Sequence, residues 1–579
     1  MKQPNTYAKN EVTNWPIPNY WDLIALILVL AIIFLLGWGG KAMVGRYDLG
    51  QVIPISLDPI HLPYYALRTV LRMFIAMCCS LTFTFIFATW AAKNRQMERL
   101  IIPLIDIAQS VPILGFLSVA VANLTMLFKG SLLGPELAAI FAIFTAQAWN
   151  MALSFYQSLK TLPSELTEVA RMFQLSAWQK FWKIEVPFAM PGLLWNAMLS
   201  MSGSWVFLVL SEAITVANQN ITLPGIGSYI ALAISQSNFH AVLYVISAMF
   251  IVIALYDQLI FRPLVAWSEK FKMDASGNED EPDSWVLTLF QRAEFFQYIG
   301  IYCGMFAEWF VNVKKQRYGV KLYRVKKPLQ RKLFIAIWNV FLLLCVSVAL
   351  YILAQFIYQS VPYKETWHVL YLGFATGLRV FILIFISSII WVPIGVWIGL
   401  HPKMSRIVQP IAQFFAAFPA NLFFPFIVIS IVTFHLNVNI WVSPLMILGT
   451  QWYILFNVVA GAIALPKNLK QAVSTLNVKG WLWWKRFALP GIFPFYVTGA
   501  ITAAGGAWNM SVVVEAVSWG SYHLHATGLG NYITTMTQRG DFPREALGIA
   551  VMSLYVLAAN NLIWRPLYSL AEERFQIKR

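Results

Sequence analysis

Twelve mostly apolar stretches run through the chain, at roughly 21–38, 66–91, 101–128, 137–159, 189–216 and 241–264, then at 333–357, 369–400, 408–433, 439–463, 492–517 and 546–568. Most reach the ~20 residues that a helix needs to cross a hydrocarbon core of about 30 Å. Within lipid every backbone amide must find its partner inside the segment, so uninterrupted runs of this kind form helices. Hydrophobic residues make up 59% of the chain and charged ones 12%, about half the charged share of a soluble domain. The expected product is an integral, multi-pass membrane protein.

The second series of six repeats the first. Residues 162–191 (LPSELTEVARMFQLSAWQKFWKIEVPFAMP) align without a gap on residues 465–494 (LPKNLKQAVSTLNVKGWLWWKRFALPGIFP). Leu162/Leu465, Pro163/Pro466, Leu166/Leu469, Trp178/Trp481, Pro187/Pro490 and Pro191/Pro494 are identical. In the same register Trp149 meets Trp452, Trp205 meets Trp508, Glu212 meets Glu515, and Gly225-Ile-Gly meets Gly528-Leu-Gly. Upstream, Pro103 and Pro112 answer Pro410 and Pro419, and Leu67-Arg68 is paired with Leu378-Arg379. Residues 1–266 are expected to form one half, 267–332 a cytoplasmic linker and 333–579 the other half.

A formal net charge of +16 suggests nucleic acid only until the charges are placed. With the N-terminus cytoplasmic, most of the 42 Lys and Arg fall on the inner side, as the positive-inside rule requires. No nucleic-acid partner is expected; the partner is the lipid bilayer. Both termini are then cytoplasmic, and the repeats are parallel, with the same orientation. The first 20 residues are too polar for a signal peptide, and the run that follows is expected to remain as the first span. Within the linker, 274–284 is acidic and expected to be disordered. Residues 285–313 are expected to form one amphipathic helix in the membrane interface, followed by a basic run at 314–332 facing acidic headgroups. The cysteines Cys78, Cys79, Cys303 and Cys345 form no metal-binding spacing and read as packing residues. His523 and His525 read as ordinary loop residues.

The repeated stretch lies between the fourth and fifth spans of each half. Leu166, Val169, Ala170 and Phe173 recur at helical spacing with Glu165, Glu168 and Arg171 between them, and Leu469, Ala472, Val473 and Leu476 keep the same phase. Gln174-Leu-Ser and Asn477-Val-Lys-Gly interrupt the pattern before a second short helix. Each copy reads as helix, turn, helix on the inner surface.

These residues resemble the membrane subunits of type I ABC importers, whose loop reads E-A-A, three residues, G, nine residues, I-x-L-P. Glu168-Val169-Ala170 with Ile184 and Val186-Pro187 matches it in the first copy, and Gln471-Ala472-Val473 with Phe487 and Leu489-Pro490 in the second. The glycine is replaced by Gln174 and Asn477, and the second copy lacks the acid. The resemblance covers roughly 66–266 and 369–570. It implies an all-α membrane protein: two parallel-repeat six-helix transmembrane halves, about 12 spans, with cytoplasmic coupling helices, set in the bacterial cytoplasmic (inner) membrane. Leu166, Glu168, Val169, Ala170 and Gln174, with Leu469, Gln471, Ala472, Val473 and Asn477, would couple to two cytoplasmic ABC ATPase subunits. The chain has no GxxxxGK[ST] segment, so ATP and Mg belong to those subunits, and this chain binds no cofactor and is not an enzyme. A periplasmic or lipid-anchored solute-binding protein is implied as well.

Leu67-Arg68, the stretch Pro103 to Pro112, and Trp508-Asn-Met-Ser-Val-Val-Val-Glu515 ahead of Gly528-Leu-Gly-Asn-Tyr are similar to the nitrate, sulfonate, taurine and bicarbonate branch, which implies a small oxyanion. Arg68, Arg379, Trp149, Trp452, Trp205, Trp508 and Asn509 are the solute-path candidates. Glu212 and Glu515 are candidates to pair with the two arginines, because an unpaired charge in a span is costly. A plain kink is expected at Pro112 and Pro419. Fused permeases for ferric iron, thiamine or polyamines share the loop, and an ion-gradient-driven secondary transporter is the rival of another class. That rival needs titratable groups at the membrane midplane, where these spans have few.

Overall fold

The computed structural model describes residues 19–46, 53–110, 113–216, 219–271, 284–312 and 328–575. Among them, nine helices are long and apolar enough to cross a bilayer: Tyr20–Met43, Pro59–Lys93, Leu133–Lys160, Ala177–Glu212, Phe239–Ser268, Ala336–Tyr358, Tyr363–Leu400, Gly480–Val514 and Phe542–Ala571. Two bent pairs, Lys403–Ala417 with Ala420–Thr433 and Val438–Leu448 with Gln451–Ala464, bring the number to 11 if each pair is one span. About twelve were expected. Of the run at 101–128, Arg95–Ser110 and Ile113–Leu127 are described as helices, and the two residues between them lie outside the described residues. In the second half Phe418 is extended ahead of Pro419, a 3-10 turn Ala420–Phe423 follows, and the chain turns by 76°. Proline disfavours a helical residue before it and brings no N–H, so the expected kink is a full break. Pro112 lies outside the described residues.

Other prolines are absorbed without a break. At the end of each repeated stretch one turn widens, Phe181–Glu185 and Trp484–Ala488, with Val186 N–H reaching the Phe181 carbonyl and Leu489 N–H the Trp484 carbonyl. Pro187 and Pro490 come next. A proline ring collides with the carbonyl four residues back, and a turn closed over five residues moves that carbonyl aside. The same device precedes Pro263 and Pro566, at Asp257–Phe261 and Asn560–Trp564.

By its contacts the chain forms two compact units that do not follow the sequence halves. The first comprises Met1–Ala42, Leu153–Met198 and Ala254–Val325; the second comprises Met43–Ala152, Leu199–Ile253 and Lys326–Arg579. In the first unit the linker is two helices, Trp285–Arg292 and Glu294–Asn312, meeting at the buried Ala293, not the single helix expected over 285–313. Leu289 and Ala293 pack on Ala25 of the first span, and Phe295 N–H donates to Asp22 Oδ1 at 2.9 Å. Most of the acidic 274–284 stretch and of the basic 314–332 run lies outside the described residues.

In the second unit small residues bring helices close. Gly395 and Gly399 of the span Tyr363–Leu400 lie against Val458 and Ala462, and Gly499 lies against the Tyr453 carbonyl, the packing that spans adopt when lipid offers no hydrophobic drive between helices. Two antiparallel hairpins, Ala213–Val216 with Gln219–Thr222 and Ala516–Trp519 with Tyr522–His525, follow the fifth spans. Periodicity did not announce them in an otherwise helical chain. All four cysteines are exposed, which corrects their reading as interior packing. A thiol is apolar enough to face lipid.

Candidate functional site

The repeated stretch folds in both copies as two short helices about one sharp turn. The first helices are Ser164–Met172 and Lys467–Thr475. Each ends in a residue of left-handed backbone, Gln174 at φ 48° and Asn477 at φ 50°. Around Gln174, the Leu175 N–H bonds the Ala170 carbonyl at 3.0 Å and the Gln174 N–H bonds the Arg171 carbonyl at 3.0 Å. Around Asn477, Val478 reaches Val473 and Asn477 reaches Ser474, both at 3.1 Å. This is the Schellman closure of a helix end, whose left-handed position normally takes glycine. The family glycine therefore has a backbone reason, and Gln174 holds the conformation at a cost. Gln174→Gly is expected to stabilise this end by about 1 kcal/mol, slowing amide exchange at Leu175 roughly fivefold; an unchanged rate would refute the strain.

The apolar stripe read from the sequence is not a buried face. Ala170 is buried, but Phe173 is 75% exposed and Leu476 at the matching position 74%. Glu168, Val169, Gln471, Ala472, Asn477, Leu469 and Gln174 are exposed too, while Leu166 and Val473 are half-buried. The first turn thus offers two large apolar side chains, Phe173 and its neighbour Met172, and the second offers Leu476, the form of an anchor for a partner. The copies differ in their second helix. Ser176 and Gln179 close a capping box on Ala177–Lys180, whereas Gly480–Trp483 has no side-chain cap. In the first unit the linker also reaches this element: Trp178 Nε1 donates to the Phe310 carbonyl at 3.2 Å, Gln179 Nε2 to Asn312 Oδ1 at 3.0 Å, and the Trp178 and Phe310 rings meet edge to face. Trp481, the counterpart of Trp178, is 73% exposed.

A second constellation closes the end of each fifth span. Glu212 accepts from Thr69 Oγ1 at 2.7 Å, from Arg72 Nη1 at 2.6 Å and from the Gly227 N–H at 2.6 Å. Glu515 accepts from Thr376 Oγ1 at 2.9 Å, from Arg379 and from the Gly530 N–H at 2.7 Å. Thr69 and Thr376 in turn take the Ile226 and Leu529 N–H groups. The Gly-x-Gly motif follows from this geometry, because a Cβ on Gly225 or Gly528 would lie 2.3 Å or closer to the carboxylate. The counterpart of Arg379 is therefore Arg72. Arg68 pairs with Glu136, which also accepts from Arg72 Nε at 2.5 Å, so the pairing of Arg68 with Glu212 is corrected. Leu-Arg occurs twice one helical turn apart, at 67–68 and 71–72, and spacing alone selected the wrong copy. The second half keeps one of the three ion pairs of this cluster: Ala375 stands where Arg68 would be and Asn439 where Glu136 would be. Asn439 Oδ1 accepts the Thr527 N–H at 2.7 Å. Beside this cluster, burial and then a hydrogen bond to Glu365 push the Tyr532 phenol up.

The aromatic path candidates are mostly packed. Trp205 and Trp508 are buried, and the Trp508 ring lies over Gly377. Trp452 meets Trp391 at 5.3 Å. Trp149 is flanked edge-on by Phe83 and Phe144, and its Nε1 has no acceptor among the described residues. Asn509 Oδ1 accepts the Ile113 N–H at 2.8 Å, tying the fifth span of the second half to the helix Ile113–Leu127 of the first.

With this geometry in place, comparison with known proteins is decisive at the family level. The model of the binding-protein-dependent transport system inner membrane component matches residues 81–262 and again 391–563, more than half of the chain. The chain belongs to this family. It is a multi-pass membrane permease subunit of an ABC transporter, duplicated within one chain, and not an enzyme. Similar proteins include the nitrate import permease protein NrtB of Synechocystis sp., 23% identical over 41% of this chain and 84% of that protein. The bicarbonate transport system permease protein CmpB of Synechococcus elongatus is 22% identical over 31% of the chain and 58% of its own length. The glycine betaine/carnitine transport permease protein GbuB of Listeria monocytogenes is 26% identical over 29% and 55%. The permease thus spans little more than half the length of the latter two relatives.

Sequence reasoning missed Thr69, Arg72, Glu136 and Thr376. The doubled Leu-Arg and a threonine three residues before each partnered arginine were the only available signals.

Proposed function

We propose that this permease imports a small oxyanion of the nitrate, sulfonate or bicarbonate type, delivered on the outer side by a solute-binding protein and driven by two cytoplasmic ATPase subunits that carry ATP and Mg. The observation behind the coupling role is the pair of Schellman-closed turns, which present exposed apolar anchors, Phe173 beside Met172 in the first and Leu476 in the second. Closure of the ATPases would pull on these anchors and tilt the spans that follow them, exposing the path alternately to each side. Both termini are placed in the cytoplasm by the distribution of basic residues. Support for the oxyanion is the nitrate and bicarbonate assignment of two relatives. The glycine betaine relative favours one second reading, a zwitterionic solute.

Arg68, Arg72 and Arg379 serve the carboxylates in this reading, holding the outer ends of the bundle together, and do not contact the solute. Uptake of labelled nitrate and bicarbonate, set against labelled glycine betaine, in cells lacking and regaining the permease tests the assignment. Restored nitrate or bicarbonate uptake is expected; restoration of glycine betaine uptake alone would replace the oxyanion by a zwitterion. ATP hydrolysis of the assembled transporter should rise on adding the binding protein, and a rate indifferent to it would remove the delivery step.

A further inference from the structure

One side of the fifth span in the second half is polar along its length. Thr498, Thr502, Gly505 and Asn509 follow one another at helical spacing, so they share a face. In the first half the matching positions are Trp195, Leu199, Ser202 and Val206, an almost apolar row. The hydroxyls of Thr498 and Thr502 bond the carbonyls of Pro494 and Thr498 at 3.1 and 3.0 Å, and Asn509 Nδ2 bonds the Gly505 carbonyl at 3.1 Å. The side of Gly505 that a Cβ would occupy is open space. A row of hydroxyls and a carboxamide gains nothing from facing lipid, which offers these groups no partner beyond their own helix.

Two further polar side chains lie at the breaks in the third and fourth spans. Asn421 sits in the 3-10 turn after Pro419, and Thr450 joins the bent helices Ser443–Leu448 and Gln451–Ala464. The breaks touch: a Cβ on Gly449 would lie 3.5 Å from the Ala420 Cβ. The Thr450 methyl fills the notch at Gly506, 2.4 Å from where a Cβ would be, one residue along from Gly505. Asn421 is 7% exposed and Thr450 6%, yet Asn421 Oδ1 and Thr450 Oγ1 have no hydrogen-bond partner among the described residues. Thr450 begins a helix but does not cap it, although threonine in that place usually bonds the helix N–H groups. The first half has no such vacancy at the position of Thr450, where Gln147 accepts from Ser80 at 3.3 Å and donates to the Met73 sulfur at 3.1 Å. Position 114, matching Asn421, is leucine.

We infer that the second half alone supplies the polar solute path, with Asn421 and Thr450 as its binding groups and the Thr498, Thr502, Gly505, Asn509 row as its wall. Buried orphans at helix breaks are costly unless something meets them, and discontinuous helices are where transporters place their sites. None of the six residues is charged. The Thr450 hydroxyl can donate to an oxyanion, whereas Asn421 Oδ1 can only accept, from a solute that carries an O–H of its own, as bicarbonate does; neither holds the ion as a lysine or arginine would, so it enters and leaves. The choice of an oxyanion rests on the function proposed above; the location of the path does not.

The experiment separates the two. In the full-length permease with its native cysteines replaced by serine, Thr502→Cys and Gly505→Cys are expected to react with a sulfonate-bearing methanethiosulfonate at least tenfold faster than Leu199→Cys and Val206→Cys. Equal rates in the two halves, or protection of Thr502→Cys and Gly505→Cys, would overturn the location. Thr450→Val and Asn421→Leu are expected to leave thermal stability unchanged or raised, because no partner is lost, while uptake of labelled nitrate or bicarbonate falls at least tenfold. Lower stability in both variants, or undiminished uptake of nitrate, bicarbonate and glycine betaine alike, would show the two side chains to be structural. Fast labelling together with loss of glycine betaine uptake alone would keep the path and overturn the oxyanion.

Discussion

Arg72→Met is expected to abolish the folded permease. Arg72 is fully buried and holds two buried carboxylates, Glu136 and Glu212, at 2.5 and 2.6 Å. Removing one partner of a buried ionic set costs about 3–5 kcal/mol because the charges left behind have neither water nor a counter-ion. That is a large part of the roughly 5–15 kcal/mol that holds a typical domain together. Size-exclusion of the detergent-extracted variant should show little monodisperse protein, and any that survives should unfold at a clearly lower temperature. The comparison of halves provides the control. Arg68→Ala combined with Glu136→Asn installs the composition of the second half, Ala375 and Asn439, and leaves Arg72 facing Glu212 alone, as Arg379 faces Glu515. The double variant is expected to be more stable than Glu136→Asn by itself, an interaction of the kind that neighbouring charges show, about 0.5–3 kcal/mol. A double variant as unstable as the sum of the singles would mean that the cluster is not a balanced charge set.

The second large effect concerns the motor. Phe173→Asp with Leu476→Asp should leave the permease inserted and folded, because both side chains already stand exposed. Uptake should nevertheless fall at least about 100-fold: truncating a central interface anchor costs about 2 kcal/mol or more, two such losses approach 4 kcal/mol, and each 1.4 kcal/mol is tenfold. Copurification of the ATPase with the variant, followed through a tag on the permease, reads the same loss directly. Normal uptake by the double variant would show that these residues are not the grip. The single variants are informative too, since the element that follows the first turn is braced by Phe310 and Asn312 of the linker.

What was legible in the residues alone was whatever repeats. Apolar runs identify spans because lipid leaves the backbone no alternative, and the gapless match of 162–191 with 465–494 reveals two halves and two surface turns. The family glycine marks a left-handed helix end, and Gln174 and Asn477 adopt it because the hydrogen bonds that close the helix demand it, whatever residue stands there. Other features were decided in three dimensions. Whether Arg68 or Arg72 meets Glu212 depends on one helical turn of register between helices far apart in sequence, and both arginines satisfy the same local pattern. Whether a proline kinks, widens or breaks a span depends on what receives the freed backbone groups, so Pro187 and Pro419 behave differently. That Asn421 and Thr450 are left without a partner among the described residues depends on how the broken spans around them pack, and no linear spacing records that. The sequence by itself therefore determined the class, the duplication and the two surface turns, all consequences of local periodicity in a solvent that bonds nothing. Tertiary structure decided the ion pairs, the broken span at Pro419 and the surroundings of Asn421 and Thr450, because each is a contact between segments whose separation along the chain carries no information about their distance in space.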